Sequence, residues 1–166
     1  MTGPNGVQDV GMALQLGQVS RQDARRLAIL LGHLGYPTDE TTVHARLAYW
    51  LEDPASFLIG AYEGGDLIGV AALHAMPMLE VTGKLGRLLA LVVDSSHRGR
   101  GVGQRLVTAA EEQARAAGCV QMEITSSRHR IRTHEFYQRL GYEDLCASSA
   151  RFKKGLFASS RPHSDK

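Results

Sequence analysis

In the middle of this chain a strand, a glycine loop and a helix follow one another without a break. The stretch reads Leu91-Val92-Val93-Asp94-Ser95-Ser96-His97-Arg98-Gly99-Arg100-Gly101-Val102-Gly103-Gln104. The apolar run over residues 88–93 suits a strand buried on both faces. Gly99, Gly101 and Gly103, three glycines in five residues, let the backbone take positive φ and approach a ligand closely. The free N–H groups and dipole of the helix that starts there favour an anion. Arg98 and Arg100 add positive charge, so a phosphate-bearing ligand is the physical inference. A tight turn without a ligand requires neither three glycines nor two flanking arginines.

Two familiar phosphate loops do not fit. The triphosphatase loop needs Gly-Lys-Ser/Thr, which is missing. The dinucleotide fingerprint needs a third glycine where Leu106 stands, and it follows a first strand rather than lying mid-chain. A net charge of +2 over 166 residues argues against a general nucleic-acid binder. The charge is uneven, however: five basic and nine acidic residues precede Arg87, against fourteen and eight from there on. No apolar run approaches the roughly 20 residues of a membrane helix, and the N-terminus has no basic-then-apolar leader. A cytoplasmic location without membrane association is the expectation. Cys119 and Cys146 alone make neither a disulfide scaffold nor a metal site. No metal is expected.

The length suits one domain, placed over residues 11–155 between tails at 1–10 and 156–166. Residues 12–16 read as a first strand. Ser20 is a plausible N-cap for a helix over 21–34, with Leu27, Leu30, Leu31 and Leu34 on one face. Gly35 ends it. A second amphipathic helix spans 38–51. Strands at 57–62 and 67–74 flank the turn residues Glu63-Gly64-Gly65-Asp66. After the 88–93 strand and the glycine loop, a helix over 103–117 buries Leu106, Ala110, Ala114 and Ala117, while Glu111 and Arg115 can pair at i, i+4. A strand over 120–125, a short helix over 132–140 and a last strand over 148–153 complete the pattern. The order β-α-α-β-β-β-α-β-α-β implies an α/β fold, a mixed central sheet with helices on both faces.

Arg98 to Gly103 fits [RQ]-x-x-G-x-[GA], and there the chain resembles the GNAT superfamily of N-acetyltransferases. His134-Glu135-Phe136-Tyr137-Gln138-Arg139-Leu140-Gly141-Tyr142 resembles that family's later FYxxxGF element, with Tyr142 in place of Phe. The two motifs stand in the family's order with the expected helix and strand between them. The resemblance covers about residues 12–152 and implies a sheet of about six to seven strands. It also implies acetyl-CoA as cosubstrate. Its pyrophosphate would lie on the amides of Arg98, Gly99, Arg100, Gly101, Val102, Gly103 and Gln104. Its pantetheine arm would run beside Leu91, Val92 and Val93 as an added strand, entering a gap where the last strands splay apart.

An alkyl amine is mostly protonated at neutral pH, and attack on a thioester needs its neutral form, so a base is required. Many relatives carry a glutamate in the strand before the loop, but here Ala90 and Arg87 stand at such positions. His74, at the end of the hairpin strand, is the candidate base, with Glu80 in the following loop behind it. A histidine at a strand end is also commonly structural. By the resemblance, Tyr137 donates to the departing thiolate; the plainer role is a buried aromatic beside Phe136. Glu123, in a strand, is either a buried paired carboxylate or a substrate ligand, with pairing favoured. The run Arg128-His129-Arg130-Ile131-Arg132 is either a solvated loop or an oxyanion contact. Cys119 reads as a core thiol.

The Leu34-Gly35-Tyr36-Pro37, Ala72-Leu73-His74 and Arg151-to-Leu156 stretches look most like the branch that includes aminoalkylphosphonate N-acetyltransferases. The function implied is acetyl transfer to a primary amine of a small molecule, with a homodimer as a possible assembly. The acidic N-terminal half would attract a cationic amine. A protein N-terminus or lysine, an aminoglycoside, or a non-catalytic acyl-CoA-binding role are the alternatives.

Overall fold

Ser20 and Asp23 close a capping box. The Ser20 side chain accepts from Gln22 N–H at 3.2 Å, and Asp23 Oδ2 accepts from Ser20 N–H at 2.7 Å. This starts the first helical segment where the N-cap reading put it. The computed structural model describes residues 13–156. They fall in two compact units, one up to Thr125 and one from Ser126. Residues 1–10 and 157–166, assigned to tails, lie outside the described residues, as does Met12 of the expected first strand.

The first unit holds β1 (Gln15–Gln18), a 3-10 turn (Arg21–Asp23), α1 (Ala24–Leu34), α2 (Glu40–Glu52), β2 (Ser56–Glu63), β3 (Asp66–Pro77), β4 (Lys84–Val93), a second 3-10 turn (Ser95–His97), α3 (Val102–Ala116) and β5 (Cys119–Ile124). The sheet order is β1-β2-β3-β4-β5. The first four strands are antiparallel, and β5 runs parallel to β4. A parallel neighbour needs a crossover, and α3 supplies it.

Helices cover both faces, as expected. Leu27 and Leu30 of α1 and Val43 and Leu47 of α2 are buried in one cluster with Leu58, Leu67, Val70, Ala72 and Val92 of the sheet. Truncating Leu30 there would cost about 2–5 kcal/mol. On the opposite face, Val102, Leu106, Val107, Ala110 and Ala114 of α3 are buried. A Cβ on Gly69 would come within 3.1 Å of both Leu106 and the Val92 carbonyl, so glycine lets α3 lie close on β3. The Glu111–Arg115 pair forms at 3.5 Å.

The sheet has five strands among the described residues, not six or seven. Residues 148–153 are exposed and form no strand; Phe152 is 92% exposed. An alternating pattern makes a strand only where a neighbour takes its backbone bonds and one of its faces. The 88–93 run also differs from the expectation of burial on both faces. Leu89 is a bulge, since Ala72 pairs with Ala90 but Leu73 with Leu88, and it is 54% exposed.

The second unit contains α4 (Ile131–Arg139). Tyr137 stacks edge-on against Phe136 and Tyr142, with ring centroids 5.1 and 5.8 Å away. The Tyr142 N–H donates to the Tyr137 carbonyl at 3.0 Å.

Candidate active site

Three features of the first unit lie where the cosubstrate and acceptor were expected. The first is the glycine loop. Gly99 and Gly101 take φ of 76° and 77°, the left-handed region that favours glycine. Gly103 instead sits in the first turn of α3, so two of the three glycines serve the turn. Gly101 is the N-cap of α3 and no side chain caps it. The first N–H groups of the helix therefore point outward unpaired by the helix, with the positive dipole end behind them. Val102 is buried and anchors the helix, leaving its backbone for a ligand; Gln104 is exposed.

The two arginines are not equivalent. Arg98 Nε donates to the Val93 carbonyl at 3.2 Å, tying the loop to the end of β4. Arg100 donates through both terminal nitrogens to Glu63, at 2.6 and 3.2 Å. Its charge is compensated by the β2–β3 turn rather than presented bare to a phosphate. His97 Nε2 donates to the same carboxylate at 3.1 Å. These bonds, Arg100 foremost, hold the Glu63 carboxyl below its ordinary range. Asp94, 9% exposed, closes the other side. It accepts from Ser96 N–H at 3.0 Å, Ser96 Oγ at 2.7 Å and Arg26 at 3.2 Å. Ser96 and Arg26 outweigh burial and hold its carboxyl far below the usual carboxylate range.

The second feature is a fork in the sheet. Pairing of β4 with β5 ends at Leu88 with Ile124, while β4 runs on to Val93. Asp94 N–H donates to the Ile68 carbonyl at 2.8 Å. By antiparallel alternation Val92 also bonds to β3, and the amides and carbonyls of Leu91 and Val93 face the open side, where the Val93 carbonyl already accepts from Arg98. Of the three residues expected along a pantetheine arm, Leu91 and Val93 thus offer backbone groups and Val92 offers a buried side chain.

The third feature is a polar lane across four strands. Ser56 pairs in register with His74, His74 with Arg87, and Arg87 with Glu123, so these four side chains share one face. That row is next to the last β4–β5 pairing, Leu88 with Ile124, beyond which the fork opens. His74 Nδ1 lies 2.9 Å from Ser56 Oγ and 3.4 Å from Asp53 Oδ2, and Ser56 Oγ donates to Asp53 at 2.6 Å. With its own proton on Asp53, the serine hydroxyl can only accept from Nδ1–H. The neutral imidazole then carries its lone pair on Nε2. Ser56 and the Ala55 amide keep the Asp53 carboxyl below its ordinary value. Arg87 donates to Glu123 at 3.4 Å. Glu123 is thus paired, as read, but half exposed. Glu80 lies beyond the last paired residue of β3, Pro77, and is exposed; no bond joins it to the lane.

Asp53 and Ser56 were missed at the sequence level. They sit at the α2 C-cap and the first position of β2. Nothing in their spacing points at a histidine eighteen residues on; only strand register does.

In the second unit, burial pushes the Tyr137 phenol up to about 12 against the opposing charge of Arg130. Arg128 lies 3.9 Å from Asp144, and His134 Nε2 is 3.0 Å from the Ser127 carbonyl. Burial raises the Cys119 thiol, and a bond to Asp144 raises that of Cys146. Neither is the lowered thiol a nucleophile needs. No group of three or more metal-ligating side chains occurs among the described residues, and no described helix is long and apolar enough to cross a membrane.

The chain is 35% identical to an aminoalkylphosphonate N-acetyltransferase of Salmonella typhimurium, over 64% of this chain and 67% of that protein. It is 30% identical to the N-alpha-acetyltransferase RimI of Mycobacterium tuberculosis, over 66% of each. A solved GNAT family acetyltransferase from Staphylococcus aureus superposes with a TM-score of 0.73 at 26% identity, over 87% of this chain and all of that one. The acetyltransferase (GNAT) family matches residues 24–142, a span that contains the glycine loop, the fork, the polar lane and Tyr137, and the chain belongs to that family.

Proposed function

We propose that this chain transfers the acetyl group of acetyl-CoA to the primary amine of a small molecule by direct attack. The observation that carries the reading is the fork opening one residue beyond the Ser56–His74–Arg87–Glu123 row. A cosubstrate arm added along Leu91 and Val93 would end beside a histidine already oriented by a serine and an aspartate.

The roles follow from chemistry. The outward amides from Gly99 to Gln104 and the α3 dipole receive the pyrophosphate. Arg98 supports it with charge; Arg100 contributes mainly by fixing the loop. His74 Nε2 takes the amine proton, and Asp53 stabilises the imidazolium through Ser56. The amine nitrogen bonds to the thioester carbon and the C–S bond breaks. The departing sulfur needs a donor, and the motif assigns Tyr137. A phenol raised to about 12 stays protonated at working pH and keeps that hydrogen available.

An acceptor at a protein N-terminus is favoured by one observation, the likeness to the M. tuberculosis enzyme. Thiol release from acetyl-CoA, measured with small primary amines and with N-terminal peptides, separates the readings. Turnover on small amines supports the proposal, and turnover on peptides alone overturns it. Acetyl-CoA binding without turnover on any acceptor would identify a binding module instead.

A further inference from the structure

We infer that Arg87 receives an oxyanion on the acceptor, so the preferred substrate is an amine carrying a phosphonate, phosphate or carboxylate a few bonds away. The inference rests on the acetyl-transfer reading and names the substrate class of that same site.

Register carries the argument. Arg87 and His74 are direct partners across β3 and β4, and such partners hold their Cβ atoms about 4.5–5.5 Å apart on one face. An acceptor whose amine reaches His74 therefore has Arg87 beside it. The lane is ordered by sign. Asp53 lies at the His74 end, held ionised by its hydrogen bonds, Arg87 follows, and Glu123 lies on the far side of Arg87. An ammonium is attracted at the first position and an oxyanion at the second. A purely cationic amine gains nothing from Arg87 and is repelled by it.

Arg87 is also underused. Its side chain is 28% exposed, and among the described residues its one ion pair runs through a single nitrogen at 3.4 Å to a carboxylate 46% exposed. A guanidinium has five donors in a fork that matches phosphonate or carboxylate oxygens two at a time. A single exposed ion pair contributes little, so a bidentate oxyanion can displace Glu123. A guanidinium at this place in the lane suits recognition of an anion and not proton abstraction.

The test uses the full chain, acetyl-CoA, and matched acceptors of equal length: 2-aminoethylphosphonate, β-alanine and propylamine. The wild type is expected to favour the two anionic acceptors in kcat/KM by about tenfold to a hundredfold, the range of a charged hydrogen-bond pair. Arg87→Gln should collapse that ratio toward one, acting on KM for the anionic acceptors more than on kcat, and Arg87→Lys should restore part of it. Glu123→Gln removes the competing carboxylate and should lower KM for the anionic acceptors severalfold. This arm decides the matter if Arg87→Gln does not fold. Equal handling of anionic and neutral acceptors by the wild type overturns the inference while leaving acetyl transfer intact. So does a KM that fails to fall in Glu123→Gln. If acetyl-CoA binds but none of these amines is turned over, the acetyl-transfer reading itself falls, and the inference with it.

Discussion

Arg100 places both terminal guanidinium nitrogens on the Glu63 carboxylate, at 2.6 and 3.2 Å, and so straps the glycine loop to the β2–β3 turn. The loop arginine expected to meet phosphate is instead part of a chain of groups from Arg26 through Asp94 and Ser96 to His97, Glu63 and Arg100. Preorganisation of the loop, more than bare charge, is what this network supplies.

The network makes the protein acid-sensitive. Asp94 and Glu63 have folded-state values below their ordinary 3.8 and 4.5. Groups lowered on folding add stability above their unfolded values and lose it as pH falls toward the folded ones. Thermal unfolding followed from pH 7 down to pH 2 should show the melting temperature falling once pH drops below about 4.5. Asp94→Asn should be less stable at pH 7 and flatter on the acid side. A parallel decline in variant and wild type would exclude Asp94 as a source of the effect.

Gly101→Val tests the cradle. A Cβ at this position meets nothing within 4 Å, so the penalty is conformational, from φ of 77°. The strain of about 1–2 kcal/mol is relieved by moving the loop and the helix start. CoA affinity should fall about tenfold or more, measured by titration calorimetry. Unchanged affinity would sink the phosphate-loop assignment.

His74→Ala should lower kcat by about a hundredfold or more, the usual contribution of a positioned base. Ser56→Ala should lower it less, because the imidazole remains but loses the bond that selects its tautomer. If Ser56→Ala matched wild type across the pH–rate profile, the Asp53–Ser56–His74 relay would have no catalytic role. Both variants should bind CoA as the wild type does.

Tyr137→Phe should reduce kcat with little change in KM for acetyl-CoA. The phenol is neutral until about 12, so no alkaline loss of rate below about pH 11 should trace to it. Because its folded value exceeds the ordinary 10, its share of stability is whole below pH 10 and is lost as pH rises toward 12. Phe at this position removes that alkaline component. Undiminished turnover would refute the donor role.

Much of the fold was legible because it is local. Ser20 with Asp23, the Leu27–Leu30 stripe, the Gly64-Gly65 turn and the 91–104 run each encode their geometry in near neighbours, where hydrogen-bond reach and periodicity decide the conformation. The same holds for the glycine loop and for the motif around Tyr137. Ala150-Arg151-Phe152-Lys153, within the stretch read as a last strand, alternate apolar with charged, yet alternation is only permission. A strand also needs a partner's backbone, and no such partner is encoded in six residues.

The sequence by itself determined the family, the glycine turn and the candidate base. Tertiary structure decided what those residues touch. It gave Arg100 to Glu63, exposed Leu89 through a bulge, and turned Asp53, Ser56, His74, Arg87 and Glu123, spread over seventy positions, into one lane. The physical reason is register: hydrogen bonds between strands choose which distant side chains become neighbours, and that choice depends on the whole sheet.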